Sequence, residues 1–144
     1  CSEMLASLPE PGLLVRGWNI VPGKPTLIAA DAAAKKLVVS LPGHPLSCLT
    51  VAFTVLLPLL LRRIGSENAV CGTRTRLPLS RDLAARTGPE EFVPCVLGAD
   101  GSVAPAAAKS GYISVLAKAS GIICVPEDRE TIRAGGDAEV WLWQ

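Results

Sequence analysis

Three short segments carry residue types at spacings that could do chemistry. The first is Leu41-Pro42-Gly43-His44-Pro45-Leu46-Ser47, where an apolar run ends in a Pro/Gly turn and an apolar helix follows at once. A helix start offers unpaired N–H groups and the positive end of the helix dipole, and both favour an anion. Ser47 adds a hydroxyl, and His44 adds a ring nitrogen able to donate. The alternative is a plain strand-to-helix connection in which Pro45 starts the helix. The second segment is Pro22-Gly23-Lys24-Pro25. Prolines on either side stiffen the backbone, so Lys24 loses little entropy when it holds an anion. The alternative is a surface turn with a solvated lysine. The third, Lys109-Ser110-Gly111-Tyr112-Ile113-Ser114, sets a cation and two serine hydroxyls at a Gly turn before a helix. It reads equally as an anion subsite or as a helix start capped by Ser110.

The same residue types exclude other chemistries. His44 is the one histidine, and the five cysteines (Cys1, Cys48, Cys71, Cys95 and Cys124) form no CxxC pair. A zinc site is therefore unsupported, and scattered cysteines within apolar runs read as reduced, buried thiols. A Ser/His/Asp triad cannot be assembled around His44, and no acidic cluster suits magnesium. What remains is electrostatic: binding and orienting anions.

The elements that must position these segments follow from pattern. Cys1 to Leu8 read as the end of a helix stopped by Pro9 to Gly12, and Leu13 to Ile20 as a strand. Thr26 to Ala30 form a second strand. Leu37 to Leu41 form a continuous apolar strand, of the kind covered on both faces in an open α/β sheet. Ligands of such sheets bind beyond the strands' carboxyl ends, so the turns carrying Lys24 and Ser47 are expected at one sheet edge, facing one cleft. A helix from about Leu46 to Ile64 shows a polar stripe (Ser47, Thr50, Thr54, Arg62) and is otherwise apolar, which predicts a helix nearly surrounded by protein. Its apolar stretch is shorter than the ~20 residues a membrane span needs, and Pro58 should kink it. Gly65 to Gly72 is a polar linker. Beyond it lie short strands at Arg76 to Leu79, Glu91 to Leu97, Ser102 to Pro105, Ile122 to Val125 and Glu139 to Trp143, with a short helix at about Tyr112 to Lys118. That half predicts a small barrel or sandwich.

Composition bounds the partners. The chain has 144 residues, 49% hydrophobic and 19% charged, with a net charge of +1. That balance argues against coating nucleic acid or an anionic membrane, and 4% aromatics leaves little for base stacking. The chain opens without Met and in mid-pattern, with no signal peptide visible, and is expected to be a fragment of a longer protein.

Taken with Thr26 after the second turn, with Val115-Leu116-Ala117 after the third, and with Gly121 and Val125-Pro126-Glu127, the three segments resemble the molybdopterin molybdenumtransferase family, which includes bacterial MoeA and the E domain of gephyrin. The resemblance implies α/β followed by β: residues 1–70 as the C-terminal portion of a MogA-like molybdopterin-binding α/β domain, and 71–144 as a small β-barrel-like C-terminal domain. It implies insertion of molybdate into adenylylated molybdopterin with release of AMP, in a cytoplasmic homodimer using Mg2+ held by acids upstream of Cys1. By the matched positions Pro22, Gly23, Lys24, Pro42, Gly43, Pro45 and Ser47 border the pterin-phosphate ligand, and Ser110 faces it from the second domain. Val21 and Pro94 stand where the family usually or often has a cation, and His44 replaces a commoner Asn. A non-catalytic binding or scaffolding module and a tungstate insertase are the alternatives, and this chain alone is expected to be inactive.

Overall fold

The computed structural model describes residues 2–67, 70–106 and 113–143. Helices are α1 (Ser2–Ala6), α2 (Pro45–Arg63) and α3 (Ile113–Leu116). Strands are β1 (Pro11–Arg16), β2 (Ile20–Val21), β3 (Leu27–Asp31), β4 (Lys36–Ser40), β5 (Thr73–Pro78), β6 (Leu83–Ala84), β7 (Glu90–Leu97), β8 (Val103–Pro105), β9 (Gly121–Val125), β10 (Thr131–Ile132) and β11 (Asp137–Leu142). The chain is mostly β.

The first half departs from the expected open α/β sheet. β1, β3 and β4 form an antiparallel sheet in the order β1-β3-β4. The predicted strand Leu13 to Ile20 is broken after Arg16 at Gly17, whose φ is +81°. Its continuation, β2, leaves this sheet and pairs in parallel with β7, Ile20 opposite Glu90 and Val21 opposite Glu91. β4 is not covered on both faces: Leu37 and Val38 are exposed, because β4 is an edge strand of a three-stranded sheet.

The second half is built on β9. Its five residues are all buried and alternate between two cores. Ile123 and Val125 join Leu79, Cys95, Val103, Ala138 and Val140 on one face. Ile122 and Cys124 join Phe92 and Trp141 on the other, together with Ile20, Val51 and Phe53 from before the Gly65–Gly72 linker. The sheet runs β2-β7-β9-β11-β5, with β8 on β7. A parallel bridge between Leu79 and Val103 brings the end of β5 back to β8. The short pair β6 and β10, unforeseen from pattern, closes over one end of that core through Leu83 and Ile132.

α2 lies over the second core, with Val51 and Phe53 inserted. It is long and apolar enough to cross a membrane by length and composition, but about a third of its most apolar window is buried against the rest of this chain. The expected near-complete enclosure is not met. Ser47 and Thr50, from the polar stripe, are buried, while Leu49, Leu57 and Leu60 are exposed. The stripe turns inward because it flanks the side that carries Val51 into the sheet. Pro58 is accommodated by a π-helical segment, Ala52–Leu56, in which the Leu57 N–H bonds the Ala52 carbonyl five residues back. The Thr54 hydroxyl donates to the Thr50 carbonyl, 2.8 Å away, in the same region.

Cys48, Cys71, Cys95 and Cys124 are free thiols, but only Cys95 and Cys124 are buried as expected, Cys48 and Cys71 being half-buried; Cys1 lies outside the described residues. Burial pushes the Cys95 thiol up to about 11. An unfolded chain ionises such a thiol near pH 9, so folding stability from Cys95 is intact below pH 9 and falls as pH rises toward 11. The loss is on the order of 2 kcal/mol. Urea unfolding at pH 8 and pH 10.5 should show this fall, and Cys95→Ala should reduce it. An unchanged pH dependence in Cys95→Ala would refute the assignment.

Candidate functional site

The three-stranded sheet places the first two motifs at one end. Arg16 faces Leu27, and Leu27 faces Ser40, so β1 and β4 finish where β3 begins. The loop carrying Lys24 spans Arg16 to Leu27, and the turn leading into α2 follows Ser40. The loop is closed by its own backbone. The Gly17 N–H bonds the Thr26 carbonyl at 2.9 Å, and the Trp18 N–H bonds the Lys24 carbonyl at 3.0 Å. Thr26, fully buried, donates its hydroxyl to the Gly23 carbonyl at 2.7 Å. Sequence reasoning placed Thr26 at the start of a strand; in the structure it precedes β3 and closes the loop instead.

Gly23 joins the loop to α2. Its φ is +142°, and a Cβ built there would stand 2.8 Å from both Ile20 Cδ1 and Val51 Cγ2. Glycine alone meets both demands. Val51 lies one turn beyond Ser47 on the same side of α2. The Pro-Gly-Lys-Pro turn therefore rests against the first two turns of the helix. Pro22 is half-buried and Gly23 buried, while Lys24 and Pro25 are exposed, so the lysine is presented from a packed base.

At the helix start, Pro42 is buried, and Gly43, His44 and Pro45 are exposed. His44 is the N-cap residue in extended conformation, its side chain makes no capping bond, and its carbonyl accepts the Cys48 N–H at 2.8 Å. Pro45 occupies the first turn, where its missing N–H costs nothing. A Cβ at Gly43 would meet nothing within 4 Å, so glycine there leaves the approach to the helix start open without being required by packing. Ser47 is buried in the same first turn. Thr50, one turn further on, is 1% exposed, and its hydroxyl has no partner among the described residues.

Lys109 and Ser110 lie outside the described residues. The helix that follows them, α3, packs against the Pro45–Val51 part of α2. Val21 pairs with Glu91 at the edge of the larger sheet. Pro94 is buried in β7 opposite Ile122, in the protein interior. Trp141 is buried with its Nε1–H on Glu139 at 2.7 Å and the Arg74 guanidinium 3.7 Å over its ring; Trp143 stacks edge-on to Phe53. Both indoles are therefore packed within the chain.

Comparison with known proteins adds relatives. Residues 76–143 match the MoeA C-terminal region, domain IV. A Methanocaldococcus jannaschii protein assigned to molybdopterin biosynthesis is 34% identical over 131 residues, which is 90% of this chain and 30% of that protein. The solved MoeA molybdopterin biosynthesis protein of Pyrococcus horikoshii superposes with a TM-score of 0.82 at 31% identity, over 99% of this chain and 34% of that one. A molybdenum cofactor biosynthesis protein of Pyrococcus furiosus gives 0.74 at 29% identity, over 90% of this chain and 45% of that one. The chain thus spans less than half the length of each of these relatives.

Proposed function

We propose that the chain is the C-terminal part of a MoeA-family protein and serves molybdenum cofactor biosynthesis, as part of a cytoplasmic enzyme that inserts molybdate into adenylylated molybdopterin and releases AMP. In this reading residues 1–70 belong to the molybdopterin-binding α/β domain and 71–144 to the C-terminal β domain, and the working unit is a homodimer. The observation that carries it is the packing of Gly23 on Val51, which seats the exposed Lys24 turn against the helix that begins at Pro45. Such an arrangement holds a phosphate or oxyanion by a cation and helix-start N–H groups, and stabilises charge without a nucleophile. Lys109 and Ser110 would add donors from the second domain.

Magnesium, implied by the family resemblance, is expected on acids upstream of Cys1 and not on the described residues. Among them no three of His, Cys, Asp and Glu come together. No step of the reaction is assigned to a metal here.

The test is turnover. The intact protein, supplied with adenylylated molybdopterin and molybdate, should release AMP. Tight binding of adenylylated molybdopterin with no AMP release would favour a binding or scaffolding module instead, and faster release with tungstate a tungstate insertase.

A further inference from the structure

The tip of the β3-β4 hairpin and the C-terminal end of α2 enclose a cavity of about 490 Å3. Its volume falls in the ~300–1,000 Å3 range of small-molecule pockets. It lies at the opposite end of the three-stranded sheet from the Lys24 turn: Asp31 faces Lys36 here, whereas Leu27 faces Ser40 at the other end. Ala30, Leu37 and Val39 line it from the hairpin, and Leu56, Leu59 and Leu60 from α2. Leu37 is 47% exposed and Leu60 49% exposed, so the two aliphatic walls border a common gap without closing it. The charged groups gather at one end, where Lys35, Lys36 and Arg63 join Asp31, the one carboxylate of the lining. Arg63 donates through Nη2 to the Lys35 carbonyl at 2.9 Å, which ties the hairpin tip to the helix end. Asp31 Oδ1 already accepts the Ala34 N–H at 2.8 Å. Among the described residues none of the three cations forms an ion pair. Three cations against one carboxylate leave this end positive. Away from it both walls stay apolar over the same distance. Leu56 precedes Arg63 by about 10 Å along the helix, and Val39 follows Lys36 by about 10 Å along the strand.

We propose that this cavity binds a single-chain amphipathic anion, a medium-chain fatty acid, with its carboxylate against Lys35, Lys36 and Arg63 and its alkyl chain between the leucines. Guanidinium and ammonium groups make charge-assisted hydrogen bonds to a carboxylate, stronger than neutral ones. The chain then removes from water the aliphatic surface that the hairpin and α2 leave apart. Among the described residues no aromatic side chain lines the gap, so nothing there stacks on a flat ligand. A flexible chain with one anionic end matches a gap that is apolar along its length and cationic at one end. The proposal does not depend on the molybdopterin reading above.

The experiment is calorimetric titration of the intact protein with decanoate, kept below the concentration at which it forms micelles. One decanoate should bind per chain. Octanoate, shorter by two methylenes, should bind about fifteenfold more weakly, because each buried methylene changes affinity about fourfold. Decanol, which lacks the charge, should bind about tenfold more weakly. Lys36→Gln and Leu60→Ser should each weaken decanoate binding about tenfold. Both residues are exposed, so both variants should melt within a few degrees of the wild type. Lys36→Gln should narrow the gap between decanoate and decanol, and Leu60→Ser should leave that gap as it is. Absence of decanoate binding, or binding that neither variant changes, overturns the proposal. Equal binding of octanoate and decanoate also overturns it, since the chain is then not buried. So does tighter binding to phosphatidylglycerol vesicles than to decanoate, lost in the same two variants, which would make this end of the molecule a membrane-docking surface instead.

Discussion

Lys24→Ala in the intact protein is expected to weaken binding of adenylylated molybdopterin about tenfold to hundredfold, with a melting temperature within a few degrees of the wild type. A charge-assisted hydrogen bond to a phosphate is worth about 1.5–3 kcal/mol, which sets the fold-change. The stability side follows from burial. Lys24 is exposed, and the loop beneath it is held by Thr26, Gly23 and backbone bonds that do not involve its side chain. Surface replacements of this kind shift stability by less than ~0.5 kcal/mol, a few degrees at most. Calorimetric binding and a thermal melt on the same two proteins separate the effects. A mutant that melts many degrees lower yet binds normally would make Lys24 a structural residue and remove the turn from the site.

Ile122→Ala should cost about 2–5 kcal/mol, a large share of a domain's stability of about 5–15 kcal/mol. Ile122 is fully buried on the central strand β9, in a core shared with Val51 and Phe53 of α2. The cavity would therefore be felt on both sides of the Gly65–Gly72 linker. Ile123→Ala faces the other core, which among the described residues contains none from the first half. In urea unfolding followed by tryptophan fluorescence and circular dichroism, both variants should shift one common transition. Hydrogen exchange should speed up in α2 as well as in β9 for Ile122→Ala. Two separate transitions in either variant would show that the shared core does not couple the halves.

The sequence by itself determined the local pieces. Apart from the short pair β6 and β10, the strands of the second half fell within a few residues of their predicted places, because alternating apolar residues bounded by Gly and Asp turns leave one way to bury a face. The helix beginning at Pro45 was equally legible, since Pro starts it and Gly65 ends it. So were the two anion-suited turns, whose residue types are local. Only the tertiary structure decided what those pieces meet. The 2.0 and 3.6 periodicities name a face but not its partner, so β2 could not be assigned to the larger sheet, nor β1, β3 and β4 to an antiparallel one. The inward turn of Ser47 and Thr50 runs against simple polarity. Long-range packing of Val51 and Phe53 decided it. The same contact puts Gly23 on Val51 and thereby brings two turns, twenty residues apart in pattern, to one helix. Local propensity acts over a few residues, whereas the site depends on contacts between distant segments, and these exist only once the core has formed.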